Sequence, residues 1–208
     1  MKKNQLKRRP EIFMVKKYIT KEEINELPSG KFEGKVVLIQ KAEAIPNAVA
    51  EILKYNVVGF DTESKPAFKA GTYNHVALLQ IALPEKVFLF RTNKIGLDTH
   101  LINLLSNPGI KKIGIALHDD VKDLQKLSAF EPRSFIELQE ITKEGGFRNA
   151  GARGLAALLM GINISKAQQT SNWENPVLTE KQISYAATDA WVNLKLYSKL
   201  KELGYIED

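Results

Sequence analysis

Acidic side chains stand at three places where the sequence pattern indicates a strand end or one face of a helix. Asp61 and Glu63 lie two residues apart, at the end of an apolar run that begins at Val57. Residues i and i+2 of a strand point to the same face, so both carboxylates aim at one spot. Carboxylates at an apolar strand end are unfavourable unless something pairs with them. Such a pair is common by chance, and its meaning depends on the other two places.

The second and third places are Asp120 and the pair Tyr185 and Asp189. We expect Asp120 to start a helix, where an aspartate is usually a cap. Tyr185 and Asp189 are four residues apart in a long helix and share one face, although such pairs are usually on the surface. No comparable set of basic residues lies beside these acids in the sequence. Their combination therefore predicts a site for hard divalent cations such as Mg²⁺ or Mn²⁺, which prefer oxygen ligands.

The elements that must position these acids alternate along the chain. Strands are predicted at 36–39, 57–63, 75–83, 86–90, 111–117 and 135–138, and helices at 21–27, 45–55, 99–105, 120–127, 154–160 and 179–203. Interleaved strands and helices predict an α/β domain with a mixed sheet. The short connection 83–86 predicts an antiparallel hairpin. The alanines around Asp189 predict that the last helix approaches the sheet closely.

Three ordered motifs resemble those of the tyrosine subclass of the DEDD 3′–5′ exonucleases, whose members include ribonuclease D and the exonuclease domain of the Werner syndrome helicase. They are residues 60–63 with 76–82, residues 112–124 and residues 185–190, and the segments 154–159 and 171–173 are similar as well. The resemblance covers about residues 35–203. It implies a ribonuclease H-like fold, a mixed β-sheet flanked by α-helices. We expect this exonuclease domain to span 31–208, after a basic N-terminal arm and short helix at 1–30.

By that resemblance, Asp61, Glu63, Asp120 and Asp189 hold two divalent ions, Mg²⁺ or Mn²⁺, and Tyr185 positions the attacking water. Two ions about 3.5–4 Å apart can activate a water and stabilise the leaving 3′ oxygen. The expected activity is hydrolysis of phosphodiester bonds at the 3′ end of nucleic acid, with DNA favoured over RNA. The alternative is a non-catalytic nucleic-acid-binding adaptor that retains the fold. The presence of all five groups favours the enzyme.

Asp119 and Asp120 are both candidates for the metal-binding carboxylate of the second motif. Asp120 is chosen because Val121, Leu124 and Leu127 then follow at +1, +4 and +7, which is the family's helical pattern. Asp119 is the alternative.

The remaining candidates are less specific. His75, His100 and His118 are expected in the surface or in loops, since the subclass that uses histidine has it where Tyr185 stands here. Trp173 is expected to pack under the last helix. Phe68 and Tyr73, in the loop after the first motif, are candidates for stacking on nucleic-acid bases.

Composition bounds the function classes. The chain has 208 residues, 44% of them hydrophobic, and no cysteine, which excludes disulfides, thiolate metal sites and cysteine nucleophiles. No apolar run approaches the ~20 residues of a membrane span, and a cytoplasmic location is expected. Residues 1–21 hold eight basic residues and one acid, a charge of +7, so the rest of the chain carries −1 of the net +6. This arm either holds nucleic acid through its phosphates or is a solvated terminus.

Overall fold

The computed structural model describes residues 15–67, 71 and 73–207, and these form one mixed sheet of six strands with helices on both faces. The strands are β1 (Lys35–Ile39), β2 (Val57–Ser64), β3 (Val76–Ala82), β4 (Lys86–Phe90), β5 (Lys111–Gly114) and β6 (Phe135–Glu137). Their order is β1-β4-β3-β2-β5-β6. Strand β3 runs antiparallel to β2 and β4, and the other neighbours are parallel. The predicted mixed α/β sheet and the 83–86 hairpin are confirmed.

Eight α-helices occur in the described part of the chain. They are α1 (Lys21–Glu26), α2 (Ile45–Ile52), α3 (Thr92–Ile95), α4 (Thr99–Leu105), α5 (Leu117–Leu127), α6 (Leu138–Glu144), α7 (Ala152–Met160) and α8 (Glu180–Glu202). The long helix α8 opens with the predicted capping box, in which Thr179 and Gln182 bond each other's backbone. The sequence pattern missed α3, which has four residues, and α6, which follows β6 without a break.

The sheet is covered on both faces by apolar side chains. On one face, Ile52 of α2 and Leu101 of α4 pack with Phe60 of β2. On the other face, Ala186 and Ala190 of α8 pack against β3 and β4. Burial of the sheet on both sides explains why six of the seven residues of β3 are apolar, with Gln80 as the exception.

The connection between β5 and α5 differs from the prediction. The strand ends at Gly114 and the helix begins at Leu117, so the predicted strand to 117 and the predicted helix start at Asp120 are both wrong. Leu117 folds back into the core, and a Cβ on Gly114 would lie 2.2 Å from the Leu117 Cδ2 atom. Ala116 takes up the turn with φ 61° and ψ 37°, a strained left-handed conformation for a residue with a side chain. Asp120 consequently lies one turn inside the helix.

Residues 15–34 run along the body and are bonded to the loop before α7 and to α7 itself. The Asn149 side chain accepts from Ile19 N at 2.9 Å and donates to Ile19 O at 3.1 Å. Arg153 of α7 donates to the Asn25 side chain at 2.8 Å. Residues 1–14 of the basic arm lie outside the described residues, and the boundary drawn at 30 stays a prediction. No helix in the described ranges combines the length and apolar character that a bilayer crossing needs.

Candidate active site

Strand β2 and helix α8 meet at a cavity of about 320 Å³ that contains most of the predicted functional side chains. Four of the five predicted residues line it, namely Asp61, Glu63, Tyr185 and Asp189. Glu63 and Asp189 are buried, with exposed fractions of 9% and 4%. Residues that lie more than a hundred positions apart in the chain are therefore gathered in one polar chamber.

A glycine allows the helix to approach the strand that closely. A Cβ on Gly59 of β2 would lie 2.0 Å from the Ala190 carbonyl oxygen of α8. One turn further along α8, the Asn193 amide donates to the Phe60 carbonyl at 2.9 Å. This contact fixes α8 against β2, and the small alanines act as the sequence predicted. Asp189 and Tyr185 are held opposite the strand that carries Asp61.

Asp120 lies on α5, at the edge of the cavity. Its Oδ1 accepts a hydrogen bond from the Thr62 hydroxyl, next to Asp61 in β2. Asp120 is half-buried, whereas Asp119 is exposed. The structure thus directs Asp120, and not Asp119, toward the other carboxylates.

The gathered carboxylates raise one another's pKa. Burial, followed by repulsion from Asp61, raises the pKa of Glu63 to about 10. Burial raises the pKa of Asp120 to about 6, although the Thr62 hydrogen bond acts in the opposite direction. The pKa of Asp61 is also raised, first by burial and then by repulsion from Asp189. Without a cation, these groups hold protons that isolated carboxylates release well below neutral pH.

The phenol of Tyr185 is kept protonated by its surroundings. Burial, followed by the negative charge of Asp189, raises the pKa of its phenol above the usual value. Burial raises the pKa of Asp189, while the positive charge of Lys166 and, less strongly, the neighbouring Tyr185 phenol act in the opposite direction. The ring packs beside the fully buried Trp173, with the two ring centroids 6.0 Å apart. Tyr185 is therefore protonated at neutral pH and fixed in orientation.

The chemistry of the donor set fits a divalent cation. The Asp189 Oδ1 atom is buried and has no hydrogen-bond partner within the described residues, although buried carboxylate oxygens are nearly always paired. Oxygen donors of this kind suit Mg²⁺ or Mn²⁺. In the described conformation, no three His, Asp or Glu side chains are already arranged to hold an ion. The Thr62–Asp120 hydrogen bond is one contact that ligation by Asp120 would replace.

Glu137 is a functional candidate that the sequence reading missed. Its carboxylate accepts from the backbone N–H groups of Ala116 at 3.1 Å and Leu117 at 2.7 Å, and also caps its own helix through Gln139 N at 2.8 Å. It thereby holds the strained turn that begins α5, three residues before Asp120. In the sequence, the indication of this role was an acidic residue near the end of the predicted strand 135–138.

Lys166 and Gln80 were missed as well. Lys166 lies in the loop before α8 and lines the cavity. Its charge lowers the pKa of three of the carboxylates, Asp61, Glu63 and Asp189. Gln80 stands directly across the sheet from Asp61, is fully buried, and neither of its amide atoms has a partner among the described residues. Neither residue is near an acid in sequence, so only the fold reveals them.

The less specific predictions have mixed outcomes. His75, His100 and His118 are all exposed, as expected. Trp173 is fully buried against α8, which confirms its packing role. Tyr73 is 44% exposed, while Phe68 lies outside the described residues, so base stacking stays a prediction.

Comparison with known proteins defines the class. A family model described as 3′–5′ exonuclease matches residues 36–204. The mouse bifunctional 3′–5′ exonuclease/ATP-dependent helicase WRN is 36% identical over 155 residues, which cover 72% of this chain and 11% of that protein. This chain thus spans a small part of that relative's length.

Solved structures agree on the architecture. The EXO domain of Nibbler from Aedes aegypti matches with a TM-score of 0.77 and 21% identity, over 84% of this chain and 92% of that one. RNase D from Trypanosoma brucei, in complex with the RNA U12, matches with a TM-score of 0.72 and 20% identity, over 81% of this chain and 63% of that one. At these identities the likeness shows the fold, and the predicted ribonuclease H-like fold is confirmed.

The chain belongs to the 3′–5′ exonuclease family, and its resemblance to the DEDD exonucleases is confirmed.

Proposed function

We propose that the protein is a metal-dependent 3′–5′ exonuclease that removes nucleotides from the 3′ end of a nucleic acid strand. The observation that carries the proposal is the group of carboxylates gathered at β2 and α8 without basic partners at ion-pair distance. An isolated group of buried negative charges is unstable, and cations between them remove that instability. The family to which the chain belongs agrees with this chemistry.

In the proposed reaction, Asp61, Glu63, Asp120 and Asp189 hold two divalent ions, Mg²⁺ or Mn²⁺. Such ions, when bound, lower the pKa of a water and stabilise the charge that develops on the phosphate and on the leaving oxygen. The carboxylates must be deprotonated to bind ions, so binding releases the protons that their raised pKa values retain. Asp61 and Glu63 lie on one strand, which gives the site a rigid side.

Tyr185 orients the attacking water by donating a hydrogen bond from its phenol. It does not act as the base, because its raised pKa keeps it protonated at neutral pH. The water oxygen forms a bond to phosphorus while the bond to the 3′ oxygen breaks. The 3′ oxygen leaves with a proton on the shortened strand, and a nucleoside 5′-monophosphate is released.

The substrate is proposed as a nucleic acid 3′ end, with DNA favoured and RNA as the second candidate. RNA has support in the RNase D structure with the RNA U12, although that RNA is bound by another protein. We also propose that the protein acts in the cytoplasm and that the basic arm and short helix at 1–30 are distinct from the exonuclease domain at 31–208. A non-catalytic adaptor is the competing function, and the complete set of five groups disfavours it.

The test is digestion of matched 5′-labelled and 3′-labelled oligonucleotides, as single-stranded and duplex DNA and RNA, with Mg²⁺ or Mn²⁺. We expect 5′-labelled strands to shorten stepwise and 3′-labelled strands to lose their label in the first step. EDTA should abolish both. A chain that binds these strands and leaves every one intact would be the adaptor, and hydrolysis that survives exhaustive chelation would contradict the metal mechanism.

A further inference from the structure

Lys166 brings the only positive charge among the described residues that line the candidate active-site cavity. The residue lies in the loop between α7 and α8 and is half-buried. Within the described residues, its ammonium forms no hydrogen bond and no ion pair. Its field still reaches three of the carboxylates, Asp61, Glu63 and Asp189. The ammonium is therefore close enough to the carboxylates to affect their pKa values, but it forms no ion pair with any of them among the described residues.

A count of charges indicates what this space can hold. Four carboxylates contribute about −4 and two divalent ions +4, so the ligands and ions alone are close to neutral. Lys166 leaves the chamber with a charge of about +1. A phosphodiester group carries −1, and its charge is spread over two non-bridging oxygens. With Lys166, the charge of the ion-loaded chamber is opposite in sign to that of one phosphodiester, and without Lys166 it is close to neutral.

We propose that Lys166 binds a non-bridging oxygen of the scissile phosphate and holds that group over the carboxylates. The inference rests on the proposed function and deepens it, because it assigns the recognition of the substrate's phosphate to a residue of this chain. A lysine ammonium is a compact charge on a flexible stem, which suits a single phosphate oxygen. Fixed positive charge beside phosphate also favours the transition state, in which negative charge is spread over those oxygens.

This role makes two opposite predictions for one substitution. Lys166→Met removes a positive charge near the ion-binding acids, so the affinity for Mn²⁺ should stay equal or rise a few-fold. The same change removes a contact to phosphate, so kcat/KM should fall by roughly 10–100-fold. Lys166→Arg, which keeps the charge, should recover a large part of the loss. A lysine that merely supported the fold would lose metal affinity and turnover together.

The experiment measures both quantities on the full chain. Mn²⁺ is titrated into chelator-treated protein by calorimetry, and hydrolysis is followed on a 5′-fluorescein DNA of ten nucleotides. Binding is measured separately by fluorescence anisotropy on the same single-stranded DNA, with Ca²⁺ in place of Mg²⁺ or Mn²⁺ and the DNA checked to stay intact, across a range of salt concentrations. Lys54→Met, which removes an exposed lysine that follows α2, is the control for the loss of one charge.

The expected result is weaker DNA binding by Lys166→Met and a dependence of log K on log salt that is shallower by about 0.7. Unchanged DNA binding, or an effect equal to that of Lys54→Met, would overturn the inference. A parallel loss of Mn²⁺ affinity would also overturn it. If the wild-type protein binds DNA but hydrolyses nothing, the proposed function fails, and the binding measurements still decide the role of Lys166.

Discussion

Buried charged residues occur in two regions of this sheet. In one region they are isolated cations with neutral acceptors, and in the other they are carboxylates gathered together. Lys112 of β5 is fully buried, and its ammonium donates to the Asn107 carbonyl at 2.9 Å and lies over the Phe135 ring. Arg91, directly after β4, is also fully buried and donates to the Asn175 carbonyl at 2.6 Å. Each of these cations is alone and uses a neutral acceptor. Burial lowers the pKa of Lys112 to about 8, which eases its removal from water.

The carboxylates of β2, α5 and α8 are arranged in the opposite way. They are gathered so that each raises the energy of its neighbours, and one Asp189 oxygen has no partner within the described residues. A fold can satisfy isolated buried charges with carbonyl groups from its own backbone. It does not do so for a group of like charges, which needs ligands from outside. The clustering of like charges therefore distinguishes the candidate functional site from the structural charges, although one Arg91 nitrogen, Nη1, is also buried without a partner among the described residues.

The largest effect is expected from removing a charge at the centre of the carboxylate group. Asp61→Asn should lower turnover by about 1000-fold or more, an effect on the order of 4 kcal/mol on the barrier. The asparagine has the same size, so the fold and part of the nucleic-acid binding should survive. Turnover and circular dichroism on the same preparation check this. Asp123→Asn is the control, since Asp123 is part of an exposed ion pair with Lys126. Hydrolysis within tenfold of wild type would refute the assignment of Asp61.

The second prediction separates the two neighbouring aspartates of α5. Asp120→Asn should be nearly inactive, with a loss of about 100-fold or more, because Asp120 is directed to the site. Asp119→Asn should keep substantial activity, because Asp119 is exposed. The two variants carry the same change of charge, so each serves as the control of the other in one hydrolysis assay. The reverse outcome would place the ligand at Asp119.

The Tyr185→Phe variant tests whether Tyr185 orients the attacking water without helping to bind the ions. Turnover should fall by roughly 10–1000-fold, or about 1.4–4 kcal/mol, because the hydroxyl is lost. Metal affinity and stability should change little, because the ring still packs against Trp173. Tyr197→Phe, also on α8, is the matched control. Turnover and Mn²⁺ affinity are measured together, and a loss of Mn²⁺ affinity would make Tyr185 a support for Asp189 instead.

The smallest effect is expected for Lys112, which belongs to the region of isolated buried cations. Lys112→Met exchanges a buried cation for an apolar side chain of similar length and leaves the Asn107 carbonyl without its donor. The free energy of unfolding should change by about 1 kcal/mol or less, since removal of the cost of burying the cation offsets the loss of its hydrogen bond. Turnover should stay within about twofold of wild type. Denaturant unfolding and the hydrolysis assay provide the comparison, and a large loss of activity would mean that Lys112 serves the site.

The sequence alone predicted all six strands and six of the eight helices in the described part of the chain. Asp61 and Glu63 follow from strand periodicity, and Tyr185 and Asp189 from helical spacing. The start of α5 could not be predicted, because the apolar alternation through Leu117 continues past Gly114 while the backbone turns at Ala116. That turn depends on packing of Leu117 and on the Glu137 carboxylate, which lies twenty residues further along the chain.

The residues that surround the acids could not be predicted from the sequence either. Lys166 comes near Asp61 only because the loop before α8 folds over the site. Gln80 faces Asp61 through the register of β2 with β3, a relation between two strands that no local pattern specifies. Sequence periodicity determines the face on which a side chain lies. It does not determine what another element brings to that face.

The proposed need of the gathered carboxylates for cations can be tested through the melting temperature as a function of pH. The folded-state pKa values of Asp120 and Glu63, about 6 and about 10, lie above their ordinary values of 3.8 and 4.5. Their contribution to stability is therefore fully present below the unfolded-state values and is lost as pH rises through the folded-state values. The melting temperature of chelated protein should fall from pH 5 to pH 8. Saturating Mn²⁺ should raise it by several degrees at pH 8, and less at pH 5, where protons compete for the ligands. A chelated protein that is as stable at pH 8 as at pH 5, with no response to Mn²⁺, would contradict the account.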